Sequence, residues 1–312
     1  MSTPEPHDQP GLQPGAEPQV APFFIVGAQR SGTTMFRLML NAHPRLAVPF
    51  ETDFVAVYEA LGGNEFADRE ARAKAVELWA REPLTKKAKL IENPATFTNQ
   101  QDIRSFAALV SAVLSGYSRQ QGKFRWGVKT PSFVTEIDVL KQLFPAAKII
   151  HLVRDGRDVA VSMSKIRWGK KNVIRAARDW REKVMMGRKM GKLLGGDYLE
   201  IRFEDLVADP AHCLRTVCDF LDEDFDALML DYHRDSRSAM PKESQQWHQK
   251  SMSKPDTGKI SSWKRTMSRP HQELFEDEAG AWLKVFGYPL TGRKPGLTAK
   301  LQRLYYQTIA RY

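Results

Sequence analysis

The chain has 312 residues, 42% of them hydrophobic, enough for one large α/β domain or two small ones and for a sizeable core. Its formal net charge of +10 favours anionic partners, yet the basic residues are spread along the chain and no signature of a DNA- or RNA-binding module occurs, so nucleic acid is not expected. No stretch approaches the ~18 consecutive apolar residues that cross a bilayer, and the N-terminus lacks the basic and apolar regions of a secretory leader; a cytoplasmic location is the expectation.

Residues 1–21 are polar and carry Pro4, Pro6, Pro10, Pro14 and Pro18, which predicts a disordered tail. Phe23-Phe24-Ile25-Val26 reads as a buried parallel strand. Gly27 to Gly32 then form a tight turn, and from Thr33 the apolar residues Met35, Leu38, Met39 and Ala42 fall at helical spacing. Strand, glycine turn and helix N-terminus aim backbone N–H groups at one point and make an anion site. The spacing is nearly that of a nucleotide phosphate loop, G-x-x-x-x-G-K-[ST], but Thr33 stands where the lysine should be, and the cation is Arg30, inside the loop.

Leu46-Ala47-Val48 reads as a second strand, with Glu51 just past its end, where ligand sites sit in open parallel sheets. Residues 54–120 are mostly helical in pattern, interrupted at Pro83 and Pro94, and read as an insertion that walls an acceptor pocket or as a plain crossover. Phe124 to Lys129 is a third strand, stopped by Pro131. Lys148 to Val153 is a fourth, running into Arg154-Asp155-Gly156-Arg157-Asp158 and a helix that carries Ser162. An arginine at a strand end offers a fixed fork to a phosphate and the next helix adds a hydroxyl, although an Arg–Asp ion pair explains the same residues.

Residues 173–195 read as a basic helix and Tyr198 to Phe203 as a fifth strand. Cys213 and Cys218 lie in one predicted helix on different faces and should not bridge. Residues 234–258 are polar and aperiodic, which predicts a mobile loop. Residues 291–312 form a basic extension, with Leu297, Leu301, Leu304 and Tyr305 on one face of a helix over 297–312. That face is expected to pack on the domain; weak contact with a membrane surface is the alternative. The alternation of strands and helices predicts an α/β fold of P-loop-like, three-layer type, a central parallel sheet flanked by helices.

The run Gly27-x-x-Arg30-Ser31-Gly32-Thr33-Thr34 resembles the 5′-phosphosulfate loop of sulfotransferases that use 3′-phosphoadenylyl sulfate (PAPS). The continuation Asn41-Ala42-His43-Pro44 and Glu51-Thr52 is most similar to the tyrosylprotein sulfotransferase branch and its bacterial relatives. The resemblance covers roughly residues 22–290 in pattern and is dense in three motifs. It implies that Gly27 and Arg30 to Thr34 hold the 5′-phosphosulfate, and that Arg154 and Ser162 hold the 3′-phosphate. Phe203 stands where the family has a tyrosine. Gly258-Lys259-Ile260-Ser261-Ser262-Trp263-Lys264-Arg265 resembles the segment that closes over the nucleotide, which implies roles for Ser261, Trp263, Lys264 and Arg265, with Trp263 at the adenine side. Lys129 matches a lysine used for the sulfuryl oxygens.

Pro131 stands where small-molecule sulfotransferases carry a histidine base. Glu51 follows Arg30 by 21 residues, the separation of the tyrosylprotein branch's glutamate, and is the implied base; His43 is the alternative. Asp53 replaces an arginine with which that branch reads acidic peptides. The implied acceptor is therefore any hydroxyl-bearing sugar, lipid, small molecule or peptide tyrosine, with no metal required. Two readings compete: a P-loop kinase or other ATP-binding protein, and a non-catalytic PAPS-binding module. Against the kinase stand Thr33 in the lysine position and Asp155 as its sole Walker-B-like carboxylate.

Overall fold

The computed structural model describes residues 20–166 and 172–308; most of the proposed tail, and the last four residues of the extension, lie outside them. Five parallel strands form one sheet: β1 Phe23–Gly27, β2 Leu46–Ala47, β3 Arg125–Lys129, β4 Lys148–Val153 and β5 Tyr198–Arg202, in the order β2-β3-β1-β4-β5. All five strands are where the hydrophobic pattern puts them. Phe203 differs in detail, because it opens the helix Phe203–Ala208 instead of ending β5. The fold is the P-loop-like α/β type, with helices on both faces of the sheet.

β1 shows why the sheet is buried on both sides. Its residues are fully buried, and the pleat sends them alternately to two cores. Phe24 and Val26 join Phe54, Trp79, Phe106, Trp126 and Phe144. Phe23 and Ile25 join Phe36, Leu38, Met39, Leu214 and Val217. From β1 the chain first builds β2 and β3 on one side and then crosses to β4 on the other. That reversal opens a crevice at the carboxyl ends of the strands next to β1.

The insertion at 54–120 is helical, as predicted, and is divided into Phe54–Leu61, Arg69–Arg81, Pro83–Ala88, Ala95–Thr98 and Phe106–Gln120. Pro83 takes the first position of its helix, where its missing N–H costs nothing. Glu82 caps that helix by accepting from the amides of Leu84 and Thr85 at 2.8 and 2.7 Å. Leu84 and Lys87 of this helix line the cavity beside the sheet.

Two expectations change. Residues 234–258 contain a helix, Lys242–His248, and a following 3-10 turn, Gln249–Met252, rather than a plain loop. Pro241 preorganises the start of that helix, and Lys, Glu and Gln continue it without any apolar periodicity to signal it. The C-terminal helix Leu297–Thr308 does pack on the helix Arg269–Val285, but through the opposite face. Ala299 is fully buried there and Tyr306 hydrogen-bonds His271 at 3.0 Å, while Leu297, Leu301, Leu304 and Tyr305 remain 53–76% exposed. A small alanine lets the two helices approach closely, and an Arg303–Asp277 ion pair holds the same face inward. Cys213 and Cys218 are buried and unbridged, as expected. Among the described residues no helix is long and apolar enough to cross a membrane.

A third core, around Trp180 and Phe275, locks the first turn of the helix Gly156–Ser164 beneath the long helices Val173–Leu194 and Arg269–Val285. A β-carbon on Gly156 would overlap the Trp180 ring and lie 2.6 Å from Phe275. Gly156→Ala should therefore destabilise the fold by roughly 1–3 kcal/mol through overpacking. Denaturant unfolding measures this, and a midpoint unchanged from wild type would show that the close packing is not needed.

Candidate active site

Each strand delivers one side chain or loop to the same edge. β1 leads into the loop at 27–32. Gly27, at φ 153°, has no room for a β-carbon, which would sit 2.5 Å from the Leu152 carbonyl oxygen. Gly32, at φ 97°, caps the helix Thr33–Asn41, and its missing β-carbon leaves space for the Phe203 ring, 2.5 Å from Phe203 Cε2. Arg30 takes φ 72°, a left-handed conformation that a non-glycine residue adopts at a cost. No side chain caps the helix N-terminus, so its first amides are open to a ligand. Ser31 Oγ, fully buried in the loop, has no hydrogen-bond partner. Open amides, an unpartnered hydroxyl and a cation in one turn make an anion site.

Two arginines converge over this loop. Arg30 Nε donates to Ser162 Oγ at 3.1 Å. Arg154 donates to the carbonyls of Arg30 and Lys259, both at 3.3 Å, and its guanidinium lies on the Phe203 ring at 4.2 Å. Its Nε is buried without a partner. Burial, and then Arg154, weaken proton binding at Arg30, so the two cations repel one another in a poorly solvated place. The rest of the Arg-Asp-Gly-Arg motif faces inward. Asp155 grips Arg157 at 3.0 and 2.8 Å, Glu276 adds a bond at 2.7 Å, and the guanidinium covers the Trp263 ring at 3.7 Å. The ion-pair reading of the motif holds for Arg157, while Arg154 faces the cavity.

The second group lies at the ends of β2 and β3. Lys129 is fully buried; its ammonium is ion-paired with Glu51 and lies 3.4 Å from Thr34 Oγ1. Burial pulls the Lys129 pKa down and the Glu51 charge partly restores it. The Phe50 ring stands between Lys129 and Lys87, 5.6 and 5.5 Å from their nitrogens, and meets the His248 ring edge-on at 6.3 Å.

A cavity of about 760 Å³ spans the two groups. Of the sequence candidates, Arg30, Gly32, Thr33, Thr34, Glu51, Arg154, Ser162 and Phe203 line it. Gly27 and Ser31 lie in the loop floor, and Lys129 is behind Glu51. Ser261, Trp263, Lys264 and Arg265 do not line it. Trp263 is 2% exposed beneath Arg157, Arg265 donates to the Gly258 carbonyl at 3.2 Å, and Lys264 is exposed. From that segment, Lys259 and Ser262 reach the cavity instead. The alternative base His43 is held at the Asp224 carbonyl, 2.8 Å away, outside the cavity lining. Asp53 caps the helix Phe54–Leu61 by accepting from Ala56 N at 3.3 Å.

Sequence reasoning missed Phe50, Asp158 and His248. Asp158 was legible in principle, one helical turn beyond Arg154. It accepts from Ser262 Oγ and the Trp263 amide, both at 2.7 Å, and so fastens the closing segment to the helix Gly156–Ser164. Phe50 and His248 carry no motif.

The carboxyl edge of this open α/β sheet thus carries a lysine-free glycine loop, two facing arginines and a carboxylate–lysine pair. Residues 22–227 match the model of the Sulfotransferase family, and the chain belongs to that family. It is similar to protein-tyrosine sulfotransferase A of Caenorhabditis elegans, 24% identical over 223 residues that make up 69% of this chain and 54% of the relative. It thus spans about half the length of that curated relative. It is also similar to nodulation protein NoeE of Sinorhizobium fredii, 30% identical over 146 residues, 47% of this chain and 31% of that protein. Among solved structures, the sulfotransferase domain from the Synechococcus PCC 7002 olefin synthase matches with a TM-score of 0.63 and 25% identity, covering 89% of this chain and 98% of that one. The sulfotransferase domain from the curacin biosynthetic pathway shares the fold, with a TM-score of 0.60 and 20% identity over 86% of this chain and 98% of that one.

Asp158→Ala removes two charge-assisted hydrogen bonds worth roughly 1.5–3 kcal/mol each. Amide exchange over residues 260–263 should then accelerate by about tenfold or more, with Asp158→Asn in between. Exchange at the wild-type rate would show that Asp158 does not fasten the segment.

Proposed function

We propose that the chain transfers the sulfuryl group of PAPS to an acceptor hydroxyl. One observation supports the reading: a single cavity brings Arg30, Arg154, Ser162 and the uncapped helix N-terminus together with a carboxylate–lysine pair. The 5′-phosphosulfate is assigned to the loop 27–34 and the 3′-phosphate to Arg154 and Ser162. The kinase reading is weaker, because Asp155, its magnesium candidate, is held bidentately by buried Arg157. A non-catalytic PAPS-binding module would not need the Glu51–Lys129 pair.

In the proposed mechanism Glu51 accepts the acceptor's hydroxyl proton. As its carboxylate is neutralised, the Lys129 ammonium loses its partner and turns to the sulfuryl oxygens. Arg30 and the first amides of the helix Thr33–Asn41 stabilise the charge that grows on the leaving phosphate. The proposed acceptor route passes Phe50 and Lys87, which also line a larger neighbouring groove of about 1270 Å³. The segment 234–258, which forms part of both walls, is proposed to close further over the bound nucleotide. Asp53, engaged as a helix cap, offers an acidic peptide no positive charge, so a sugar, lipid or small-molecule hydroxyl fits this reading better than a sulfated protein tyrosine.

The primary test is mass gain of one sulfuryl group when PAPS and a panel of hydroxyl acceptors meet the chain in the presence of chelator. Transfer that needs a divalent ion, or tighter binding of ATP than of adenosine 3′,5′-bisphosphate, would overturn the reading. Glu51→Gln should leave nucleotide affinity nearly intact and lower kcat by roughly 10²–10⁴. Lys129→Ala should lose a comparable amount without adding to it, since both act on one transition state. Turnover near wild type in Glu51→Gln would remove Glu51 as the base. Arg154→Ala should weaken nucleotide binding more than it slows chemistry, because a phosphate held equally in both states contributes uniform binding. Wild-type affinity with lost turnover would contradict the 3′-phosphate assignment.

A further inference from the structure

His248 lines the same cavity as the loop, at the end of the helix Lys242–His248. Its ring is fixed edge-on against Phe50, whose own ring stands over the Lys129 ammonium. Neither ring nitrogen has a hydrogen-bond partner among the described residues. An oriented imidazole without a partner, inside a cavity built for a group transfer, is free to meet a ligand.

The charges that face it come from every side. Arg30 from the loop, Arg37 from the helix Thr33–Asn41 and Lys129 from β3 all disfavour a proton on the ring. Lys87 reaches across Phe50, and Lys250 and Lys254 line the cavity from His248's own segment. Glu51 is the one carboxylate that acts in the opposite sense, and it is paired with Lys129. Burial first, and then Lys129, Arg30 and Arg37, lower the ring's pKa to about 4 in the ligand-free site, so it is neutral at physiological pH. A donor carrying phosphates at the loop and at Arg154 reverses the sign of this field.

We propose that His248 is a catalytic residue that takes a proton from solvent when the anionic donor binds and, as imidazolium, donates a hydrogen bond to the transferring sulfuryl group. The proton returns to solvent when the nucleotide leaves; the acceptor's own proton goes to Glu51, so the two events balance separately. The proposal rests on the PAPS reading. It adds a cation that exists only when the donor is present. The empty cavity then avoids a further like charge beside Arg30 and Lys129, and the loaded site gains a donor on the wall that the strands do not supply.

The test is calorimetry of adenosine 3′,5′-bisphosphate binding to the full chain in buffers of different ionisation enthalpy. The working pH is about 5.5, between about 4 in the empty site and the ordinary imidazole value of about 6.5. Wild type should take up a substantial fraction of a proton on binding. His248→Asn should bind the nucleotide with similar affinity, take up much less, and transfer sulfuryl roughly 10²-fold more slowly, the loss typical of one removed donor to a developing charge. A ring-proton NMR titration of wild type gives the same answer without a variant, as one histidine pKa that rises when the nucleotide is added. Equal proton uptake in both proteins, no histidine titration that moves, or turnover unchanged in His248→Asn would each overturn the proposal. Failure of the nucleotide to bind at all would overturn the donor assignment and the proposal together.

Discussion

Arg157 is a guanidinium with no exposed surface, and the site depends on how it is satisfied. Removing such a charge from water costs several kcal/mol unless every donor finds a partner. Here Asp155 takes two donors, Glu276 and the Pro289 carbonyl take others at 2.7 and 2.9 Å, and the Trp263 ring covers the face. These partners come from the end of β4, the helix Arg269–Val285, the turn after it and the closing segment. One cation therefore ties four pieces of chain together at the carboxyl edge of the sheet. It also separates the two arginines of its motif: with Asp155 committed to Arg157, Arg154 keeps no bidentate carboxylate and faces the cavity.

The result is a cavity with a surplus of positive charge. Arg154 weakens proton binding at Arg30, Lys129 and Arg30 do so at His248, and the open amides of the helix Thr33–Asn41 add to the same sign. Such an arrangement costs stability in the free protein, and the proposed polyanionic donor would return it on binding. The rigidity around it is what makes this useful for catalysis. Donors already fixed where charge will develop need no reorganisation during the reaction. The left-handed Arg30 and the close packing of Gly32 against Phe203 hold the loop in that state.

Much of this was legible in the sequence because it is local. Strands read as apolar runs, and the loop reads as a glycine spacing next to a change of period. Glu51 is legible because it follows a strand that ends at the same edge. What was not legible depends on contacts between distant segments. Trp263 looks like a ring available to a base, but whether it faces the nucleotide or Arg157 is decided by a residue 106 positions earlier. The C-terminal helix shows the same limit in another form. Its leucine stripe is the stronger pattern, yet Ala299 and Tyr306 make the packed face, because geometric fit to the helix Arg269–Val285 outweighs the count of apolar residues. His248 lies in a polar segment without periodicity, and only the topology brings it over β2 and β3.

The position of Lys129 gives the last step its logic. A lysine exposed in the cavity would attract the donor's phosphates as strongly as its sulfuryl oxygens, and so would stabilise the ground state along with the transition state. Lys129 is instead buried and ion-paired with Glu51, and in the proposed mechanism that pairing would mask it until the carboxylate took a proton. Proton acceptance and the appearance of a free ammonium would then be one event, timed to the attack of the acceptor. The same pairing explains why the carboxylate can stand among cations without being drawn to Arg30. Lys129 sits in a low-dielectric pocket with Thr34 Oγ1 as its other polar neighbour, which makes Glu51 its nearest compensating charge. If Glu51 is the base, as proposed, its pairing with Lys129 orients it before the substrate arrives. Such a restraint is cheaper to maintain than a mobile carboxylate that must be positioned anew in each turnover.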